Sequence, residues 1–77
     1  MNKRQISTTQ ERTCGQFVLI AKPIKCGAIQ VSLIDTSDSN PLMWSLPMDN
    51  TDAVELVEAF EKYGYSKKFK ELIGEFE

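Results

Sequence analysis

The chain has 77 residues and a mass of 8.7 kDa, which is enough for one small domain. Hydrophobic residues make up 42% and charged residues 26% of the sequence, a balance typical of globular rather than disordered proteins. The longest apolar run, at 17–21, is far too short for a membrane span. A secretory signal has an apolar segment after its basic start. The basic start of this sequence is not followed by such a segment, and we therefore expect a cytoplasmic protein. The chain has no histidine, which excludes every catalytic dyad built on that residue.

Three segments of the sequence predict β-strands. Residues 16–22 are rich in β-branched and aromatic side chains, and the run ends before Pro23, which has no N–H to give to a sheet. Residues 28–35 and 42–46 alternate apolar with polar side chains, as half-buried strands do. Because turn-forming residues separate the three segments, they predict an antiparallel three-stranded meander.

After Pro47 the apolar spacing changes from two residues to 3.6, which predicts helices. Asn50 or Thr51 can cap a first helix, and Gly64 can end it. The apolar face of this helix comprises Ala53, Leu56, Val57 and Phe60. Ser66 can cap a second helix. The predicted order is β-β-β-α-α, an α+β fold in which both helices pack on one face of a small sheet.

The first part of the chain is polar and basic. We expect a flexible arm or an edge strand in residues 1–13, followed by a single α+β domain in residues 14–77. The predicted hairpin separates Cys14 from Cys26 by roughly 25 Å, which is too far for a disulfide. Two cysteines without histidine also do not predict a metal site.

Charge is distributed unevenly along the chain. Residues 1–25 carry a net charge of +4, residues 26–61 carry −7 without any Lys or Arg, and residues 62–77 carry +1. A coherent negative field of this kind steers association with basic partners. The alternative is that the basic segments fold back and neutralise it. The candidate partner-binding surface consists of Asp35, Asp38, Asp49, Asp52, Glu55 and Glu58.

A second candidate surface lies on the predicted sheet. Leu42, Trp44 and Leu46 share one face of the third strand, and we expect that face to pack in the core. Met43 then faces the other side, and helices that cover only one side would leave an apolar patch for docking or dimerisation. This alternative surface consists of Lys22, Lys25, Ile34 and Met43.

These features favour binding over catalysis. The acidic residues lie opposite an apolar helix face, where solvent keeps them ionised, and we predict no catalytic residue, metal or cofactor. The predicted function is a small protein-binding regulator or inhibitor of a larger protein with a basic surface. Its size and charge are analogous to those of phage proteins that block nucleic-acid-handling or defence systems of the host. The alternative is single-stranded nucleic-acid binding by the sheet face and basic arm, and a homodimer through that face is a further option.

Overall fold

A computed structural model describes the backbone of residues 5–76 and the side chains of residues 5–75. These residues form four strands and two α-helices: β1 Gln10–Cys14, β2 Phe17–Pro23, β3 Ile29–Asp35, β4 Leu42–Met48, α1 Asn50–Tyr63 and α2 Lys67–Phe76. A short 3-10 turn, Lys25–Gly27, lies between β2 and β3. The strands make one antiparallel sheet in the order β1-β2-β3-β4. The α+β class is confirmed, whereas the predicted count of three strands is wrong.

The additional strand, β1, has the sequence QERTC and contains no residue typical of a sheet core. It forms because it pairs with β2 across a two-residue turn, in which Gly15 takes a φ of +60° that glycine adopts without steric cost. As an edge strand, β1 needs only backbone partners on one side, so its polar composition is tolerated. β1 therefore lacks the alternation of apolar and polar side chains that is typical of half-buried strands.

The core lies between the helices and one face of the sheet, which we call the inner face. The central inner-face side chains of β2 and β3 are at most 1% exposed: Leu19, Ala21, Ile29, Val31 and Leu33. They pack against the predicted apolar face of α1, which is confirmed, and against Phe69 and Ile73 of α2. Ile6, in the irregular segment before β1, is also buried in this core.

A β-bulge changes the register of β4. Leu33 lies opposite Trp44, but Ile34 lies opposite Leu42, and Met43 is the extra residue. One added residue moves Leu42 to the outer face of the sheet, so the prediction that Leu42 shares a face with Trp44 is wrong. The strand also continues through Pro47 to Met48, because a sheet edge tolerates a residue without an N–H.

The start of α1 lies one residue earlier than expected. Asp49, rather than Asn50 or Thr51, is the N-cap, and its Oδ1 accepts a hydrogen bond from the Asp52 N–H at 2.8 Å. Asn50 has a different role, because its amide exchanges two hydrogen bonds with the backbone of Ile6, at 3.0 and 3.1 Å. These bonds fasten the N-terminal segment to the helix.

The second helix begins directly after Ser66, as the sequence predicts. The Ser66 carbonyl accepts the first helical hydrogen bond, from the Lys70 N–H. Its Oγ is buried without a hydrogen-bond partner in the described residues, so the hydroxyl does not cap the helix. Within residues 5–76, neither helix is long and apolar enough to cross a membrane.

Candidate functional site

A row of five carboxylates follows α1 from its N-cap to its last turn. They recur at every third residue: Asp49, Asp52, Glu55, Glu58 and Glu61. Three residues advance about 4.5 Å along a helix, so the row spans about 18 Å and winds across the side of α1 that faces away from the core. We call it the acidic ridge. Glu55 and Glu58 are exposed, and Asp52 is half-buried.

Both ends of the acidic ridge also have structural roles. At one end Asp49 caps the helix. At the other end Glu61 forms an ion pair with Arg12 of β1, and each side chain is 34% exposed. Glu58 also has an interaction within the molecule. A cation from the basic N-terminal region therefore neutralises the last carboxylate of the acidic ridge and ties β1 to α1.

The two remaining acidic candidates, Asp35 and Asp38, do not join the acidic ridge at its start. Asp35 is the last residue of β3 and Asp38 lies in the turn that follows, whereas Asp49 follows Met48, which pairs with the opposite end of β3. The seven residues of β3 separate these two ends by about 20 Å. The predicted six-residue surface is thus divided into two groups.

The carboxylate of Asp35 holds the β3–β4 turn together. Its Oδ1 accepts hydrogen bonds from the hydroxyl and the N–H of Ser37 and from the side-chain amide of Gln16, at 2.8 to 3.0 Å. The Ser37 hydroxyl, the Ser37 N–H and, to a smaller extent, Gln16 lower the pKa of Asp35 below its usual value, because they stabilise the ionised form. The Asp35 carboxylate therefore already has partners within the molecule. These hydrogen bonds support a structural role for Asp35 in the turn rather than a role in binding a partner.

The sheet face that points away from the helices, the outer face, is arranged in rows across the strands. The register gives three rows: Thr13, Val18, Ile34 and Leu42; then Glu11, Ile20, Ser32 and Ser45; then Lys22, Gln30 and Pro47. The first row is largely apolar. Its side chains are only partly covered, and Leu42 is 58% exposed.

The second and third rows are more polar. The Ser45 hydroxyl is hydrogen-bonded to Gln30 and to Ser32. The apolar part of the outer face is therefore confined to the end of the sheet near the β3–β4 turn. It consists of the first row together with Ile20, the adjacent apolar residue of the second row.

The four residues of the predicted alternative surface are distributed over this face and its border. Ile34 lies in the apolar row, and Met43 is the adjacent bulge residue, 41% exposed. Lys22 lies at the other end of the outer face, and Lys25 is in the following loop. The surface predicted from the sequence did not include Val18 and Leu42. The apolar run of β2 is unbroken, which indicates that this strand has apolar side chains on both faces although the helices cover only one.

A basic and aromatic cluster occupies the junction of the two helices. The ammonium groups of Lys62 and Lys68 each lie 5.3 Å from the ring centre of Tyr63, and that of Lys70 lies 4.7 Å from the ring centre of Tyr65. These are cation–π distances. Tyr65 also packs on Phe17, with ring centres 4.2 Å apart. The lysines at the start of α2 are thus held against aromatic rings, which the sequence pattern did not reveal.

A shallow cavity of about 470 Å³ lies between β1 and the end of α1, and its lining includes Arg12, Cys14, Phe60, Glu61 and Gly64. Cys14 and Cys26 are free thiols at opposite ends of β2. The described residues contain no group of three or more cysteine or carboxylate side chains that could hold a metal ion.

Comparisons with models of protein families, with curated proteins and with solved structures found no match for this chain.

Proposed function

We propose that this protein is a non-catalytic binding module that regulates or inhibits a larger protein with a basic surface. The observation that supports this proposal is the exposure of the acidic ridge on the outward side of α1. Its central residues Asp52, Glu55 and Glu58 project from a helix whose other side is fixed in the core. A rigid row of like charges steers a complementary partner and orients it.

The sign of the charge on the acidic ridge supports a partner that handles nucleic acid. The ridge presents one carboxylate per about 4.5 Å of helix axis, and a phosphate backbone is likewise a regular row of negative charges. A groove lined with Lys and Arg for a phosphate backbone thus offers charges of the opposite sign to the ridge. Occupying that groove would exclude the nucleic acid, which is the inhibitory mode that we propose.

The second candidate function, single-stranded nucleic-acid binding by the sheet, has less support. Base stacking requires exposed aromatic rings, and Phe17 and Trp44 lie on the inner-face positions of their strands. Among the described residues, the outer-face rows contain no aromatic side chain. The acidic ridge would also repel a phosphate backbone.

The test is a triple charge reversal, Asp52→Lys, Glu55→Lys and Glu58→Lys. Its matched control reverses three other exposed carboxylates, Glu11, Glu71 and Glu75, and therefore changes the net charge equally. The probes are a lysine- and arginine-rich peptide and a single-stranded oligonucleotide, each measured at low and at moderate salt. Circular dichroism checks that both variants remain folded.

We expect the ridge variant to associate with the basic peptide at least about tenfold more slowly and to lose its salt dependence, because steering acts mainly on the association rate. The control should retain most of the wild-type rate. Equal losses in the two variants would show that only net charge matters and would contradict the proposal. Tight oligonucleotide binding by the wild-type protein would instead favour the second candidate.

A further inference from the structure

Among the described residues, the outer face carries apolar side chains that the helices leave uncovered. An antiparallel sheet with one solvated face normally carries polar side chains there. In this protein Val18, Ile20, Ile34 and Leu42 are neighbours on that face, and both helices pack on the other side. A contiguous apolar patch of this kind marks an interaction surface.

The edges of the sheet are poorly suited to association, which leaves the face. The outer edge of β4 is interrupted by the bulge at Met43 and by Pro47, which has no N–H to donate. Both features are known to protect edge strands from pairing with another chain. At the other edge, β1 carries the charged residues Glu11 and Arg12. Extension of the sheet by strand addition is therefore disfavoured at both edges.

The row pattern makes the outer face complementary to itself. A two-fold axis parallel to the strands and passing over Ile34 places Val18 opposite Leu42 of a second copy, and Ile34 opposite Ile34. The same operation places Lys22 opposite Pro47 of the second copy, so no like charges meet. A two-fold axis perpendicular to the strands and passing over the middle row would instead place the apolar row on Lys22, Gln30 and Pro47. The axis parallel to the strands is therefore the one that covers β2, β3 and β4 with the apolar row set on itself.

We propose that a second copy of this chain covers the outer face, with the two sheets packed face to face in a symmetric dimer. Interfaces of small proteins take about a tenth of the surface of each partner. For a surface of 5114 Å² such an interface buries about 500 Å² per copy, which is close to the lower limit for specific association and typical of a weak complex. The dimer therefore forms in a concentration-dependent manner.

The test is analytical ultracentrifugation of the full chain from low micromolar to millimolar concentration. The wild-type mass should rise from 8.7 kDa towards twice that value. Leu42→Asp places a charge in the apolar row at a residue that is 58% exposed, and it should raise the dissociation constant at least about tenfold. The matched control is Ile24→Asp, because Ile24 is 41% exposed in the loop after β2, and this variant should dimerise like the wild type.

Two further measurements distinguish this dimer from other forms of association. Contact between apolar faces should persist in high salt, whereas pairing of the acidic ridge with lysines of another copy should disappear. The ridge charge-reversal variant should dimerise normally, so the dimer and the proposed function can fail separately. A wild-type protein that remains monomeric at every concentration, or a Leu42→Asp variant that dimerises normally while remaining folded by circular dichroism, would overturn the proposal.

Discussion

The inner and outer faces of the sheet are built by the same strands but differ in what covers them. Leu33 and Ile34 are consecutive residues of β3 with side chains of equal size. Leu33 is fully buried under the helices, whereas Ile34 is only partly covered. The inner face therefore provides the stability of the fold, and the outer face keeps apolar surface that remains available for association. An apolar residue in a strand thus indicates a covered face only when a second layer exists to cover it.

The largest expected effect is loss of the inner-face core. Phe60 is 2% exposed, and its ring packs edge to face against Phe69 with ring centres 5.2 Å apart. We expect Phe60→Ala to lower the free energy of unfolding by about 3–5 kcal/mol, as measured by urea denaturation. That loss would unfold much of so small a domain.

The control for this substitution is Glu55→Ala on the exposed side of the same helix. It should change the free energy of unfolding by less than about 0.5 kcal/mol. Similar losses for Phe60→Ala and Glu55→Ala would contradict the assignment of the two sides of α1.

A smaller effect is expected at the end of α1, where the helix approaches β1. Gly64 has a φ of +65° and a ψ of −155°, a region that is accessible essentially to glycine alone. A Cβ atom at this position would lie 2.6 Å from the Cys14 Sγ. We expect Gly64→Ala to cost about 1–3 kcal/mol from the backbone conformation, with a further steric penalty unless the thiol rotates away.

A double-mutant cycle separates the two contributions. Cys14→Ala removes the Sγ atom and should recover only the steric part of the loss caused by Gly64→Ala. A complete recovery would show that the backbone conformation at Gly64 is not costly for alanine. No recovery would show that the thiol already moves aside.

The next effect concerns the attachment of the N-terminal segment to the inner-face core. Asn50→Ala removes both hydrogen bonds to the Ile6 backbone, and we expect a loss of about 1–3 kcal/mol, since each bond contributes about 0.5–1.5 kcal/mol. Hydrogen exchange at the Ile6 amide should accelerate in parallel. Thr51→Ala, at the neighbouring exposed position, is the control and should leave that amide protected.

The parts of this fold that were predictable depend on local pattern. The periodicity of α1 and the glycine at its end are properties of short stretches of chain, and both predictions hold. The bulge at Met43 was not predictable, because the register of β4 depends on its pairing with β3. The sequence left residues 1–13 open between a flexible arm and an edge strand, because the ladder of β1 requires only backbone groups.

In the candidate site, too, the local features were predictable from the sequence and the contacts between distant residues were not. Spacing by three residues places the carboxylates of α1 at neighbouring positions along the helix, and this could be read from the sequence because helix geometry is local. The pairing of Glu61 with Arg12 joins residues 49 positions apart, and the sequence alone contains no signal for it. Asp35 was grouped with the acidic ridge by charge alone, and the length of β3 separates it from Asp49.

The most direct test of the difference between the two faces compares Leu33→Ala with Ile34→Ala at low micromolar concentration, where the proposed dimer would be dissociated. Both substitutions shorten an aliphatic side chain on β3, and only the face differs. Urea denaturation should show a loss of about 2–5 kcal/mol for Leu33→Ala, as expected for a buried position, and about 1 kcal/mol or less for Ile34→Ala. Equal losses, or a larger loss at Ile34, would mean that the outer face is covered in the monomer and would contradict this account.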